Sequence, residues 1–202
     1  MSTELPDLLL VMALSIESQG VFEQAGVTVL YTGIGKINAT HALTRKLAEY
    51  RYAGRPPPLV VNFGTAGSHC FATGAVVACH QFIQRDMDVT GLGFELGVTP
   101  FEDLPPLLEF PVVFPALPNV KCGSGDGFVT TRLTAQYDVI DMEAYALAKV
   151  CRLENARFAC AKYVTDGADH GAANDWQSNL PRAAAAFLAL YRSLRVSDGV
   201  TR

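Results

Sequence analysis

The sequence predicts a single α/β domain over residues 1–202, built on a sheet with a parallel core. Three observations carry this expectation. Strand-like apolar runs alternate with helix-like stretches along the chain. The run Leu59-Val60-Val61-Asn62-Phe63, bounded by Pro56-Pro57-Pro58 and Gly64, is apolar up to its Asn and fits a strand covered on both faces. The carboxylates Glu17, Glu143 and Asp166 stand beside three apolar segments far apart in sequence, and an open α/β sheet gathers such residues at its strand ends. With 202 residues, 50% hydrophobic and 18% charged, the chain can bury one sizeable core.

Taken in order, residues 8–14 are the first apolar run. They resemble the apolar centre of a secretion signal, but Glu4 and Asp7 precede them and no Lys or Arg does. The run also falls far short of the roughly 20 residues of a membrane span, so a buried strand of a soluble, cytoplasmic protein is expected. Further strands are expected at 27–31, 59–63, 75–82 and 158–164. Residues 35–52 carry Ala, Leu and long polar side chains at helical spacing and stop at Gly54 and the prolines. Residues 142–153 are apolar on nearly every face, which predicts a buried helix. A last amphipathic helix is expected at 181–194, with Arg182, Arg192 and Arg195 on its wet side. Between these, residues 99–120 are rich in proline and read as a loop with extended pieces, near the surface or over a site.

Charge and cysteine usage exclude some functions. A net charge of −4 leaves no basic field for a nucleic-acid backbone. Cys70, Cys79, Cys122, Cys151 and Cys160 are odd in number, form no CxxC pair and sit mostly in apolar contexts, as small buried hydrophobes of a reducing compartment do. His41, His69, His80 and His170 lack ligand spacing and have no nucleophile motif nearby, so neither a metal nor another cofactor is expected.

Three glycine turns are candidate ligand walls. Tyr31-Thr32-Gly33-Ile34-Gly35-Lys36 is not a P-loop, because four residues must separate its glycines and Ile37 follows the lysine. It is either a tight turn feeding a helix or the backbone wall of a pocket. Gly64-Thr65-Ala66-Gly67-Ser68 offers small residues that let a planar ligand approach. Gly123-Ser124-Gly125-Asp126-Gly127-Phe128 lacks the dinucleotide spacing, but an aromatic after a glycine turn could stack on a base. Each acid has a plainer alternative: Glu17 as a solvated strand-end residue, Asp166 or Asp169 as a helix cap. Together with the glycine turns they suit a nucleoside better than a polyphosphate.

In sequence order, Ala13…Glu17, Gly33-Ile34-Gly35-Lys36, Asn62-Phe63-Gly64-Thr65-Ala66-Gly67, Asp88-Val89-Thr90, Gly125-Asp126-Gly127-Phe128, Asp141-Met142-Glu143-Ala144 and Thr165-Asp166-Gly167-Ala168-Asp169 resemble the nucleoside phosphorylase/nucleosidase superfamily. Within it the likeness is closest to the 5′-methylthioadenosine/S-adenosylhomocysteine nucleosidases. The resemblance implies a three-layer αβα sandwich around a mixed, largely parallel twisted sheet. It implies that Glu17 activates the attacking water and Asp166 protonates the purine at N7. Met142 and Glu143 would hold the ribose. Thr65, Ala66, Gly67, Phe128, Val129 and Thr165 would contact the base. Ile34, Val89, Leu92, Phe94 and Trp176 would surround the 5′ substituent, part of them from a neighbouring subunit. A homodimer follows from that last implication; the alternative is that Leu92, Phe94 and Leu96 pack into their own core.

The chain departs from the family in places. Only a short stretch separates Glu17 from Gly33, where relatives carry an extra β-hairpin. Lys162 and Thr165 replace the usual Arg and Ser, and the segment 100–120 is compact. These departures bear on the 5′ group, for which a nucleoside such as futalosine is an alternative, more than on the reaction. A phosphorylase must hold a dianion, for which Arg is suited. After the first strand this chain has Ser15, Ile16 and Glu17, and Asn62 stands where phosphorylases of the bacterial purine type place Arg. A carboxylate there repels phosphate and suits a water, which predicts hydrolysis over the phosphorylase alternative. A non-catalytic nucleoside-binding protein is the third reading.

Overall fold

The structure, a computed structural model, describes residues 7–129, 137–166 and 172–197. In chain order its elements are β1 (Leu8–Met12), α1 (Ser15–Ser18), α2 (Val21–Gln24), β2 (Val29–Tyr31), α3 (Lys36–Tyr52), β3 (Leu59–Gly67), β4 (Val76–Gln84), β5 (Leu107–Glu109), β6 (Asn119–Ser124), β7 (Val139–Asp141), α4 (Ala144–Leu153), β8 (Arg157–Asp166) and α5 (Ala172–Ser197). A 3-10 turn, Thr90–Leu92, lies between β4 and β5.

All the strands join one mixed sheet, in which parallel pairings (β1–β2, β1–β3, β3–β8, β4–β6, β6–β7) outnumber antiparallel ones (β3–β7, β4–β5, β4–β8). Side chains alternate across it, as the period of an extended chain requires. Leu9 and Val11 of β1, and Phe158, Cys160 and Val164 of β8, pack on the face covered by α3 and α4. Leu10 and Met12, and Ala159, Ala161 and Tyr163, pack on the face covered by α2 and α5. The result is the expected three-layer αβα arrangement around a largely parallel sheet.

The twist goes further than the sequence conveys. Because β8 pairs with both β3 and β4, while β6 and β7 return from β4 to β3, part of the sheet closes into a ring. The closure is thin, a single residue pair, Gly67 with Ile140. It lies where the carboxyl ends of β3, β7 and β8 converge, which is where α/β sheets leave room for ligands.

The differences from the sequence expectation have local causes. Leu59-Val60-Val61-Asn62-Phe63 continues as strand through Gly67 because β8 runs parallel beside its whole length. Asn119–Ser124 is a strand, so the expected loop of residues 99–120 ends in it and the glycine turn expected at 123–128 opens within it. Gly123 belongs there because a Cβ would meet the Tyr137 ring at 2.6 Å, so only glycine lets that ring lie across the strand. The last helix begins at Ala172, not at Pro181. Pro181 costs one backbone bond on an exposed position, and the helix is held by Leu180, Ala183, Ala184, Phe187 and Tyr191 against the core. No helix among the described residues is long and apolar enough to cross a membrane.

Candidate active site

A cavity of about 280 Å³ opens at the ring closure. Glu17, Ile34, Thr65, Ala66, Gly67, Phe128, Val129, Met142, Glu143, Thr165 and Trp176 all line it, although they come from most of the chain's length. Val89, Leu92 and Phe94 do not line it. They lie on the segment after β4, where Leu92 is 73% exposed and Phe94 packs edge-on to Phe101 at 5.8 Å. The Asp166 backbone ends β8 opposite Gly67, and its side chain lies outside the described residues.

At one end stands Glu17, buried on the single turn α1 directly after β1. Its carboxylate is held by backbone and hydroxyl donors. Oε1 accepts from Thr65 N and Thr65 Oγ1, each at 3.0 Å, and Oε2 accepts from Leu14 N at 3.1 Å. Trp176 Nε1 donates to Thr65 Oγ1 at 2.9 Å. The indole, read from the sequence as part of the 5′ pocket, therefore stands against Thr65, one of the residues expected at the base. Thr165 enters the cavity because the β3–β8 register shifts: Ala66 faces Val164 and Gly67 faces Asp166, leaving Thr165 as the extra residue.

Met142 and Glu143 form the tight passage from β7 into α4. Glu143 Oε1 accepts from Gly35 N at 2.8 Å, so the first glycine turn is a wall of the pocket and not only an entry to α3. Burial, then the negative charge of Asp141, pushes the Glu143 carboxyl up to about 7, against the opposing pull of Lys162 and Gly35 N. Asp141 was visible in the sequence only as part of a motif, yet it is a hub. Its carboxylate accepts from Ala144 N at 2.9 Å, capping α4, and from Ser124 Oγ, whose oxygen accepts from Tyr145 N at 2.8 Å. Lys162 Nζ reaches Asp141 Oδ2 at 2.8 Å, with both side chains almost wholly buried. Burial alone would raise Asp141 and lower Lys162, but each partner's charge overrides it, holding Asp141 below and Lys162 well above its usual range. Removing one member of such a pair typically costs about 3–5 kcal/mol, since the other is left charged and dry. Gly64 leaves room beside it: a Cβ there would crowd Lys162 Nζ at 3.0 Å and lie in contact with Glu17 Oε1 at 3.7 Å.

The far wall is the loop after β6, which presents the half-exposed Phe128 ring. Sequence reasoning missed Arg85, which also lines the cavity. Its Nη2 donates to Gly125 O at 3.1 Å and to Gly127 O. The signal available was modest, a charged Arg85-Asp86 pair closing the apolar strand β4.

Fold and cavity together are those of an α/β protein with a ligand site at the carboxyl ends of its strands. The sequence matches the Phosphorylase superfamily over residues 18–121 and 122–194, and the chain belongs to that family. It is similar to the 5′-methylthioadenosine/S-adenosylhomocysteine nucleosidases of Haemophilus influenzae (29% identical, covering 89% of this chain and 85% of the relative) and Baumannia cicadellinicola (28%, covering 85% and 80%). Among solved structures, it superposes on the Helicobacter pylori nucleosidase of that name with a TM-score of 0.82 at 19% identity, covering 95% of this chain and 98% of the other. The futalosine hydrolase of Helicobacter pylori gives the same TM-score, identity and coverage.

Proposed function

We propose that this protein is a hydrolase that cleaves the N-glycosidic bond of a purine nucleoside, 5′-methylthioadenosine or S-adenosylhomocysteine, and releases adenine. The observation that carries the reading is the setting of Glu17. The amides and hydroxyl that could cradle a phosphate are already occupied by this carboxylate, and the nearby Lys162 charge is matched by Asp141. A fixed anion at that end disfavours a phosphate nucleophile and suits a water that must lose a proton. The names of the similar proteins support the same substrates. A panel of purine nucleosides with different 5′ groups, futalosine included, assayed with and without phosphate, tests it. Adenine release independent of phosphate is expected, and a strict phosphate requirement would overturn hydrolysis.

The chemistry parallels glycoside hydrolysis. As the C1′–N9 bond loosens toward an oxocarbenium ion, Asp166 delivers a proton to N7 and Glu17 takes one from water on the opposite face. Glu143, anchored through one oxygen by Gly35 N, accepts the ribose hydroxyls.

That role gives a pH dependence. The ionised form of Glu143 grips hydroxyls, and its carboxyl stands at about 7. As pH falls through that value the group protonates and loses acceptor capacity, so kcat/KM should decline on the acid side by up to about tenfold per pH unit. For folding stability the sign is opposite. A carboxyl raised from 4.5 to about 7 adds stability below the lower value and loses it as pH rises through the upper one. Glu143→Gln should remove both dependences and raise KM. An acid limb that persists unchanged in the variant would take Glu143 out of this role.

The proposal includes a homodimer in a reducing, cytoplasmic setting. Leu92 at 73% and Phe101 at 100% exposed form, with Phe94, an apolar surface that a monomer would leave wet. Closed two-fold pairing is the commonest way to cover such a face and would bring Val89, Leu92 and Phe94 to a neighbour's cavity. Light scattering should report a dimer at working concentration. A monodisperse, fully active monomer would remove both the dimer and the shared pocket.

A further inference from the structure

The loop that presents Phe128 has little of its own to hold it, since glycines stand at 123, 125 and 127, and nothing lies within 4 Å of where a Gly127 Cβ would be. Its order comes from charged groups of other elements. Arg85, at the end of β4, donates through one nitrogen to the carbonyls of Gly125 and Gly127. Its Nε is buried and has no acceptor among the described residues, so the guanidinium is drawn inward despite that cost. Next in sequence, Asp86 accepts from Asp126 N at 2.9 Å through one oxygen and from Lys36 Nζ through the other. Asp126 in turn accepts from Lys36 N at 2.8 Å, satisfying one of the exposed amides at the start of α3. Immediately before it, Gly35 N holds Glu143. An unbroken set of contacts therefore runs from the Phe128 loop to the Glu143 carboxylate.

We infer that Arg85 is a positioning residue for the base-stacking ring, and that with the Lys36–Asp86–Asp126 bridge it clamps the loop after β6 onto the start of α3. The inference rests on the nucleoside reading above. Isolated surface ion pairs contribute little stability, but here each carboxylate also takes a backbone amide, so the bridge fixes geometry. The guanidinium matters because its planar Nη2 aims two fixed N–H bonds at the two carbonyls, a direction that the freely rotating ammonium of lysine holds poorly. The glycine at 125 is part of the device: a Cβ there would lie 2.8 Å from Arg85 Cζ and push the guanidinium away.

A clamp that orders a stacking surface acts on ground-state binding, so its loss appears in KM and in affinity for adenine more than in kcat. The test measures nucleoside kinetics and adenine binding by calorimetry in Arg85→Ala, Arg85→Lys, Gly125→Ala and the Arg85→Ala/Gly125→Ala double variant. Arg85→Ala should weaken adenine binding and raise KM about tenfold, with kcat within about threefold. Gly125→Ala, which keeps the arginine, should reproduce that defect, and the double variant should be no worse than Arg85→Ala. Arg85→Lys should melt like the parent and recover only part of the affinity. Unchanged adenine affinity in a folded Arg85→Ala, or multiplying defects in the double variant, would overturn the clamp. Should Arg85→Ala fail to fold, Arg85→Lys and Gly125→Ala decide it on the same readouts, parental affinity in both counting against the clamp. A parent that binds adenine yet cleaves no nucleoside would sink the proposed reaction, and the adenine measurements would then decide the clamp alone.

Discussion

Glu17→Gln is expected to bind adenine within about threefold of the parent and to lose about 10²-fold or more in turnover, the range a general base supplies. The geometry explains why so small a change is so costly. Both carboxylate oxygens of Glu17 face donors, Thr65 N and Oγ1 on one and Leu14 N on the other. An amide has one acceptor oxygen, so its NH2 must face either Leu14 N or the Thr65 pair, and one donor loses its partner. That unsatisfied group costs roughly 1–3 kcal/mol of stability, which a melting curve would register. More important, a neutral amide cannot take a proton from water. Adenine binding and turnover, measured on a variant shown to be folded, separate the two effects. Near-parental turnover would mean that the water is activated elsewhere.

Asp166→Asn is expected to lose a comparable factor for the complementary reason. The residue ends β8 opposite Gly67, beside the cavity-lining Thr165. An amide there can still hydrogen-bond the purine at N7 but cannot deliver the proton that makes adenine a good leaving group, a step worth typically about 10²–10⁴-fold. The loss should shrink for a riboside whose leaving group needs no protonation, such as a nitrophenyl riboside, because the missing acid is then not required. Equal losses on both kinds of substrate would assign Asp166 a binding role instead. Glu143→Gln, by contrast, should act on KM and on the acid limb of the pH profile, so the three carboxylates are distinguishable by kinetics.

Much of this site is legible in one dimension. The apolar runs at 8–14, 59–63 and 158–164 are encoded by local composition, and so are the helices at 35–52 and 142–153. The acids that follow strands, and the glycines that let backbone approach a ligand, carry their meaning in short spacings; the order of those motifs points to a family that the chain then proves to belong to. What local spacing cannot convey is which distant groups meet. Lys162 and Asp141 are paired only because β3, β8, β4, β6 and β7 close into a ring that brings β7 and β8 together. Arg85 reaches Gly125 and Gly127 because β4 and β6 run parallel side by side and end together. Trp176 meets Thr65 because the final helix starts at Ala172 and packs its first turns over the ends of the strands. Strand order and register are properties of the whole sheet, and a one-residue slip would send the strand residues Lys162, Asp141 and Thr65 to the opposite face. Residue types thus set out the chemistry, while the closure of the sheet decided which charges are paired, which amides are occupied and where a nucleoside can lie.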